Sequence, residues 1–225
     1  MKTRNSAATA KPQELHPRDL ILPRMRGWQH VVAAPVSLAA GVVLVVVADG
    51  YRTPLAIYTA TLVAMFSTSA LYHRGHWSAA RCRLWKQLDH SMIFLAIAGG
   101  YTAYCAIALP PSLATLILVI VWAGAVVGVG MQLLWESAPR WLSAPSYAAL
   151  GLVAVFVLPD LLRRGGPVAL ALLCAGGAVY LIGAVAYATR WPNPFPSTFG
   201  YHEVLHACTV VAAACHYIGL CVLYT

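Results

Sequence analysis

Two histidines lie four residues apart in the string HEVLH, residues 202–206, at the start of a long apolar run. On an α-helix, side chains at positions i and i+4 share one face and lie about 5–6 Å apart, so His202 and His206 could bind one metal ion. Ser69 and His73 have the same spacing, which adds a third imidazole and a hydroxyl one turn away. Three neutral imidazoles with one open position form the ligand set of a catalytic zinc site. These residues therefore predict Zn²⁺ and hydrolytic chemistry.

Two carboxylates compete for the role of general base beside this metal. Asp89 occurs in the string LDHS, residues 88–91, at the start of another apolar segment, and could orient or deprotonate a water molecule. Glu203 stands within His-Glu-x-x-His, the pattern in which metalloproteases use the glutamate to activate water. Alternatively, Glu203 only stabilises the N-terminus of its helix through the helix dipole. The sequence leaves both interpretations of Glu203 open.

The other histidines indicate less when each is taken alone. His30, His76 and His90 are typical of polar residues at a membrane interface. His216 lies about 15 Å beyond His206 along the same helix, so it cannot bind the same ion, and we interpret it as a hydrogen-bonded core or supporting residue. A haem is disfavoured, because histidines four apart on one helix cannot ligate opposite faces of one haem.

Long apolar segments carry these residues. Hydrophobic residues form 60% of the 225-residue chain and charged residues only 10%, a balance far from that of soluble domains. A spanning helix needs about 20 apolar residues, and the segments without Lys, Arg, Asp or Glu that meet this requirement predict an all-α, seven-transmembrane helix bundle over residues 28–225, after a basic cytoplasmic tail over residues 1–27. The predicted spans are Trp28–Ala48, Pro54–Tyr72, Ser91–Leu109, Ser112–Leu134, Trp141–Leu158, Pro167–Thr189 and Val204–Tyr224.

The distribution of Lys and Arg predicts the orientation, because these residues are enriched in cytoplasmic loops. Of the 15 in the chain, only Arg52, Arg163 and Arg164 would lie on the side away from the N-terminus after seven crossings. This bias places the N-terminus inside and the C-terminus outside. The candidate ligands and Asp89 then lie at the cytoplasmic ends of their helices, at similar depth. The net charge of +8 reflects topology and does not indicate nucleic-acid binding.

Three segments together resemble the bacterial hemolysin III proteins, members of the progestin and adipoQ receptor family that are related to alkaline ceramidases. The resemblance covers nearly the whole chain. Its first span differs from relatives that often begin with an Asn-x-x-Thr-His-Gly-like segment, since this chain has RGWQHVVAAP over residues 26–35, and Ala103 replaces the proline of the family's Tyr-Thr-Pro. The matching segments are SALYH (69–73), LDHSMIFLAIAGGYTAY (88–104) and HEVLHACTVVAAACH (202–216).

The resemblance implies a seven-helix protein of the bacterial plasma membrane. It also implies zinc bound near the cytoplasmic face by His73, His202 and His206, with Ser69 and Asp89 next to the open coordination position.

The leading functional hypothesis is a zinc-dependent hydrolase that acts on an amide or ester of a membrane lipid. Asp89 would accept the proton of water, and Ser69 would help to orient the water or the developing oxyanion. The alternative is a non-catalytic receptor-like or membrane-homeostasis protein in which zinc is structural. An intramembrane metalloprotease is less favoured. A pore-forming hemolysin is disfavoured because the ionisable residues gather at one end of the spans and form no polar stripe through the membrane. The oligomeric state stays open.

Overall fold

The computed structural model describes residues 23–135 and 140–225. Within this part of the chain the secondary structure is helical, and the one β-type pairing is an isolated bridge between Phe195 and Phe199. The all-α class is therefore confirmed, whereas residues 1–22 of the predicted tail lie outside the described residues. The helices are α1 (Trp28–Val47), α2 (Arg52–Arg74), α3 (Ala79–Ala108), α4 (Pro111–Leu134), α5 (Arg140–Leu152) with a following 3₁₀ turn (Val153–Val157), α6 (Leu158–Thr189) and α7 (Tyr201–Tyr224).

Six stretches of the described residues are long and apolar enough to cross a membrane. Five of them coincide with α1 to α4 and α7, but the remaining one runs over 45 residues as Pro145–Thr189. It contains most of the predicted fifth span, Trp141–Leu158, and all of the predicted sixth, Pro167–Thr189. The stretch is not one regular helix, because Gly166 has a φ of 69° and a ψ of −176°. The membrane-spanning class is confirmed, and the number of seven crossings stays a prediction.

The first part of this long stretch packs along α3. Near its beginning, the Tyr147 hydroxyl donates a hydrogen bond to the carbonyl oxygen of His90 at 3.2 Å. Further on, the Tyr101 hydroxyl donates to the carbonyl oxygen of Gly151 at 2.7 Å. The contact that comes earlier in the chain is with the first half of α3, and the later contact is with its second half. This part of the stretch therefore runs parallel to α3.

The second part packs along α7 in the opposite sense. Three contacts, taken in chain order along α6, meet residues of α7 in descending order. Gly165 lies against Leu223, Gly176 lies against His216, and the ring of Tyr187 lies 5.2 Å from that of His202. This part of α6 is therefore antiparallel to α7.

Helix α3 lies at the centre of the bundle, and 61% of its most apolar window is buried. It joins two apolar clusters, one shared with α1, α2, α6 and α7 and the other shared with α4 and α5. Helices α1 and α4 present rows of exposed aliphatic side chains on their outer faces. Such faces are costly in water and suit the hydrocarbon of a bilayer. They include Val36, Val42, Val46, Val119, Val126 and Val127.

Close packing between α3 and α4 predicts a position-specific effect on stability. A Cβ added at Gly128 would fall within 2.4–2.5 Å of the ring of Phe94. That ring is 1% exposed, and its centroid lies 4.5 Å from that of Tyr147, with the two rings tilted by 49°. We expect Gly128→Ala to lower the free energy of unfolding by about 1–3 kcal/mol through overpacking. The control is Gly130→Ala, because Gly130 faces open space and a helical alanine is neutral or stabilising by up to about 1 kcal/mol. Thermal unfolding in detergent measures the stability of both variants. Equal melting temperatures for the two variants would contradict close packing of Gly128 against Phe94.

Candidate metal centre

Three histidines converge where α2 ends and α7 begins, and we call this end of the bundle the histidine end. His73 lies in the last turn of α2, and His202 and His206 lie in the first two turns of α7. One potential ligand atom from each lies within 4.8 Å of the others. The three side chains are therefore close enough to bind a metal ion, as their spacing predicts.

The donor set fits zinc. With Zn–N bonds of 2.0–2.1 Å, two nitrogens at neighbouring tetrahedral positions lie about 3.3 Å apart. The Nε2 atoms of His73 and His202 are separated by 3.3 Å. The rings of His202 and His206 have centroids 4.6 Å apart, and the three candidate ligand atoms lie within 4.8 Å of one another, so binding would require rotation of side chains to shorten the longer distances. Imidazoles from two helices would provide three ligands and leave a fourth position to other groups.

His30 of α1 completes a group of four buried or half-buried imidazoles. It is 4% exposed and stacks on His206 with ring centroids 4.0 Å apart and an interplanar angle of 17°. Its other face meets the ring of Phe66 at 5.0 Å. The ring nitrogens of His30 form no well-aligned hydrogen bond with the described residues. The interpretation of His30 as an interfacial polar residue was wrong, because α1 buries it against α7.

Glu203 is fully buried and both of its carboxylate oxygens are engaged. Oε1 accepts the Nε–H of Arg26, and Oε2 accepts the backbone N–H of Gly200 at 2.8 Å. The second contact is the glutamate half of a capping box at the start of α7, since Gly200 has no side chain to complete it. Structurally, Glu203 stabilises the helix N-terminus and ties it to the segment that precedes α1.

That segment approaches the site closely. The backbone N–H groups of Arg24 and Met25 donate to the carbonyl oxygens of Ser197 and Thr198 in the α6–α7 loop, at 3.0 and 3.1 Å. Gly27 follows with a φ of 79°, and a Cβ there would lie 2.6 Å from the Cβ of His73. Only glycine meets both conditions without strain.

Ser69 and Asp89 form a pair beside the histidines. The Ser69 hydroxyl donates a hydrogen bond to the Asp89 carboxylate. Ser69 is 3% exposed and lies one turn before His73 on α2, while Asp89 lies on α3 with 15% of its side chain exposed. The predicted residues from three helices thus lie at one level of the bundle.

Sequence patterns therefore identified the cluster but missed part of its surroundings. In the sequence, nothing distinguishes Arg26 from the other basic residues of the tail. No spacing rule connects it with Glu203, 177 residues away. His216 lies outside the cluster, and its Nε2 is 3.3 Å from the carbonyl oxygen of Leu173, consistent with a hydrogen-bonded core histidine.

Comparisons with known proteins identify the family of the chain. A family model described as "Haemolysin-III related" matches residues 19–217. The chain is similar to "Hemolysin-3" of Bacillus cereus, at 28% identity over 163 residues that cover 70% of this chain and 74% of the relative. It is also similar to "Hemolysin-3 homolog" of Bacillus subtilis (strain 168), at 25% identity over 201 residues, 87% of this chain and 90% of the relative.

Metal content should depend on the three clustered histidines. We expect His202→Ala or His206→Ala to abolish stoichiometric zinc in the purified protein, because the chelating pair on one helix is lost. His73→Ala should also lower the metal content, whereas the control His216→Ala should keep it. Elemental analysis by mass spectrometry gives the metal-to-protein ratio. A full site in His73→Ala together with an empty one in His216→Ala would show that the ligand set is wrong.

Proposed function

The chain belongs to the haemolysin III family of multi-pass bacterial membrane proteins, and from this premise we propose that it is a zinc-dependent hydrolase of a lipid amide or ester. The observation that carries the proposal is the convergence of His73, His202 and His206 beside the hydrogen-bonded pair Ser69 and Asp89. Zinc supplies Lewis acidity, which polarises a carbonyl group and makes water a stronger acid. The residues around it must then orient the reactants and accept a proton.

Asp89 is the proposed proton acceptor. Its carboxylate receives a hydrogen bond from Ser69 and lies 3.6 Å from His90 Nδ1; these contacts orient it and leave lone pairs to accept a proton from water. Ser69 keeps one lone pair for the nucleophilic water. Its single proton is donated to Asp89, so Ser69 could stabilise negative charge on the substrate oxygen only by redirecting that proton once Asp89 has become protonated.

Glu203 is not the proposed base, although it lies within HEVLH. To accept a proton it would have to weaken its ion pair with Arg26 and its hydrogen bond from Gly200. Both contacts are buried, so their loss would cost several times the free energy of an exposed ion pair.

We further propose that the chain crosses the membrane seven times, with the histidine end at the cytoplasmic face. Support comes from the 45-residue stretch, whose first part follows α3 and whose second part runs antiparallel to α7. The departure from helical geometry at Gly166 lies between the two. The excess of Lys and Arg near the histidine end supports the orientation. A lipid substrate would then reach the site from the inner leaflet.

A structural metal is the second candidate function. Helix α2 packs chiefly against α1 and α3, and α7 chiefly against α6, and the histidine cluster is one place where α2 and α7 meet. A metal at this position would cross-link them, in a receptor-like or membrane-homeostasis protein. Asp89 would then support the ligands and would not transfer a proton.

The proposed topology predicts the location of the C-terminus. A reporter fused after Thr225 should be active only outside the cytoplasm, because seven crossings from a cytoplasmic N-terminus end outside. A paired fusion in the α2–α3 connection, after Gly75, should report the cytoplasm. Alkaline phosphatase and a fluorescent protein, which mature on opposite sides of the membrane, give the two readouts. A cytoplasmic signal from the C-terminal fusion would mean that the chain crosses the membrane one time fewer than proposed. The stretch Pro145–Thr189 would then cross once and not twice.

The catalytic proposal predicts different consequences for the two carboxylates. Asp89→Asn keeps the shape of the side chain and its hydrogen bond but removes the proton acceptor. We expect it to retain zinc and the fold while lowering the turnover of a fluorescent N-acyl amide lipid by about 10²- to 10⁴-fold. Glu203→Gln should instead lower the melting temperature through the loss of its ion pair, with a smaller effect on turnover in the folded fraction.

Two results would revise the assignment. If Glu203→Gln abolishes turnover while Asp89→Asn is mild, the glutamate is the base, as in metalloproteases. If Asp89→Asn releases zinc, the structural role of the metal moves ahead of hydrolysis.

A further inference from the structure

A second polar site lies at the end of the bundle opposite the histidines. A cavity of about 420 Å³ opens there between the α1–α2 connection, the α3–α4 connection and the beginning of α6. Tyr51, Leu109, Pro110 and the charged residues of α6 line it. Helix α2 begins beside this cavity at Arg52 and reaches His73 about 30 Å later, at 1.5 Å per residue. The two sites are thus separated by about the thickness of the hydrocarbon layer, and the cavity lies at the depth of lipid headgroups.

The cavity carries an excess of positive charge. Arg163 and Arg164 line it together with a single carboxylate, Asp160, whose Oδ1 accepts a hydrogen bond from Arg163 Nη2 at 2.6 Å. Arg164 forms no hydrogen bond or ion pair with the described residues. Pro110 and Pro111 lie at the N-terminus of α4 at the cavity wall; neither has a backbone N–H, so only the helix dipole adds partial positive charge there. One guanidinium is thus neutralised and the other is available.

We propose that this cavity is a binding site for a phosphate group, occupied by the headgroup of an anionic phospholipid in the adjacent leaflet. A guanidinium matches two phosphate oxygens at once, which makes arginine well suited to such a site. The phenol of Tyr51 can donate a further hydrogen bond. The hydrophobic outer faces of α1 and α4 leave room for the acyl chains beside the protein. The site is independent of the metal centre and of the hydrolase proposal.

The position of the arginines supports a lipid ligand. Only Arg52, Arg163 and Arg164 are expected at this end of the bundle, and two of the three face one cavity. Arg52 instead lies 3.6 Å from Asp49 at the surface, with both side chains mostly exposed. A generic interfacial role would favour scattered arginines, each reaching a different lipid. Two arginines at one open depression suit the binding of a single anion.

Native mass spectrometry of the detergent-purified protein tests the site. We expect retention of phosphatidylglycerol during titration, and no comparable retention of diacylglycerol with the same chains, because it lacks the phosphate. The variants Arg163→Gln and Arg164→Gln should each weaken phosphatidylglycerol binding about fivefold, since each basic residue near a membrane surface adds a comparable attraction. Asp160→Asn should strengthen it by removing the competing carboxylate. Arg52→Gln is the matched control and should change the affinity less than twofold.

A soluble phosphate with the same headgroup chemistry tests whether the bound phosphate belongs to a lipid. Glycerol 1-phosphate should bind much more weakly than phosphatidylglycerol, and if it binds as tightly, with the same loss in Arg164→Gln, the site takes a soluble phosphate instead. The proposal would be overturned if Arg52→Gln weakened phosphatidylglycerol binding as much as Arg164→Gln does, or if diacylglycerol were retained as well as phosphatidylglycerol. Lipid binding would then reflect only the diffuse positive charge of the surface. His206→Ala should bind phosphatidylglycerol normally, which separates this test from that of the metal centre.

Discussion

The buried ion pair between Arg26 and Glu203 is the contact on which the geometry of the metal centre depends. A carboxylate with no exposure to solvent is tolerated only when its charge and its lone pairs are satisfied. Glu203 meets this condition with a guanidinium on one oxygen and the N–H of Gly200 on the other. Because Glu203 is held towards the segment before α1, the rotation of the first turn of α7 is fixed. His202 then faces α2, and His206, one turn on, faces both His73 and His30.

Helix α3 gives the second constraint. It is the most buried of the membrane-spanning helices in the described part of the chain, and it separates the histidine-bearing side of the bundle from α4 and α5. Asp89 near its beginning is therefore placed by the packing of two apolar clusters and not by a flexible loop. Its partner Ser69 comes from α2, so the orientation of the carboxylate depends on the contact between two rigid helices. This arrangement suits either a positioned proton acceptor or a rigid support for metal ligands.

Local patterns were sufficient for much of this structure. The spacing of His202 and His206, and that of Ser69 and His73, follows from helix geometry alone, and hydropathy located the apolar segments that bring them to one level. Interactions between distant residues could not be found this way. Nothing in the sequence joins Arg26 to Glu203, and the stacking of His30 on His206 depends on how α1 packs against α7. The region around Gly166 was ambiguous for another reason, since a glycine followed by a proline predicts an interruption but not how the two sides pack.

The separation of the ligands along the chain sets an order for assembly during synthesis. His73 and His202 are 129 residues apart, and at about 5–20 residues per second the ribosome needs roughly 6 to 26 seconds to make the second after the first. Until then the chain has only one of the three candidate ligands, His73, because the pair spaced four residues apart lies on α7. A polypeptide that stalls before α7 has no metal site at all. A metal ion bound by all three histidines could therefore be acquired only after the insertion of α7, and its presence would mark a chain that has been translated as far as that helix.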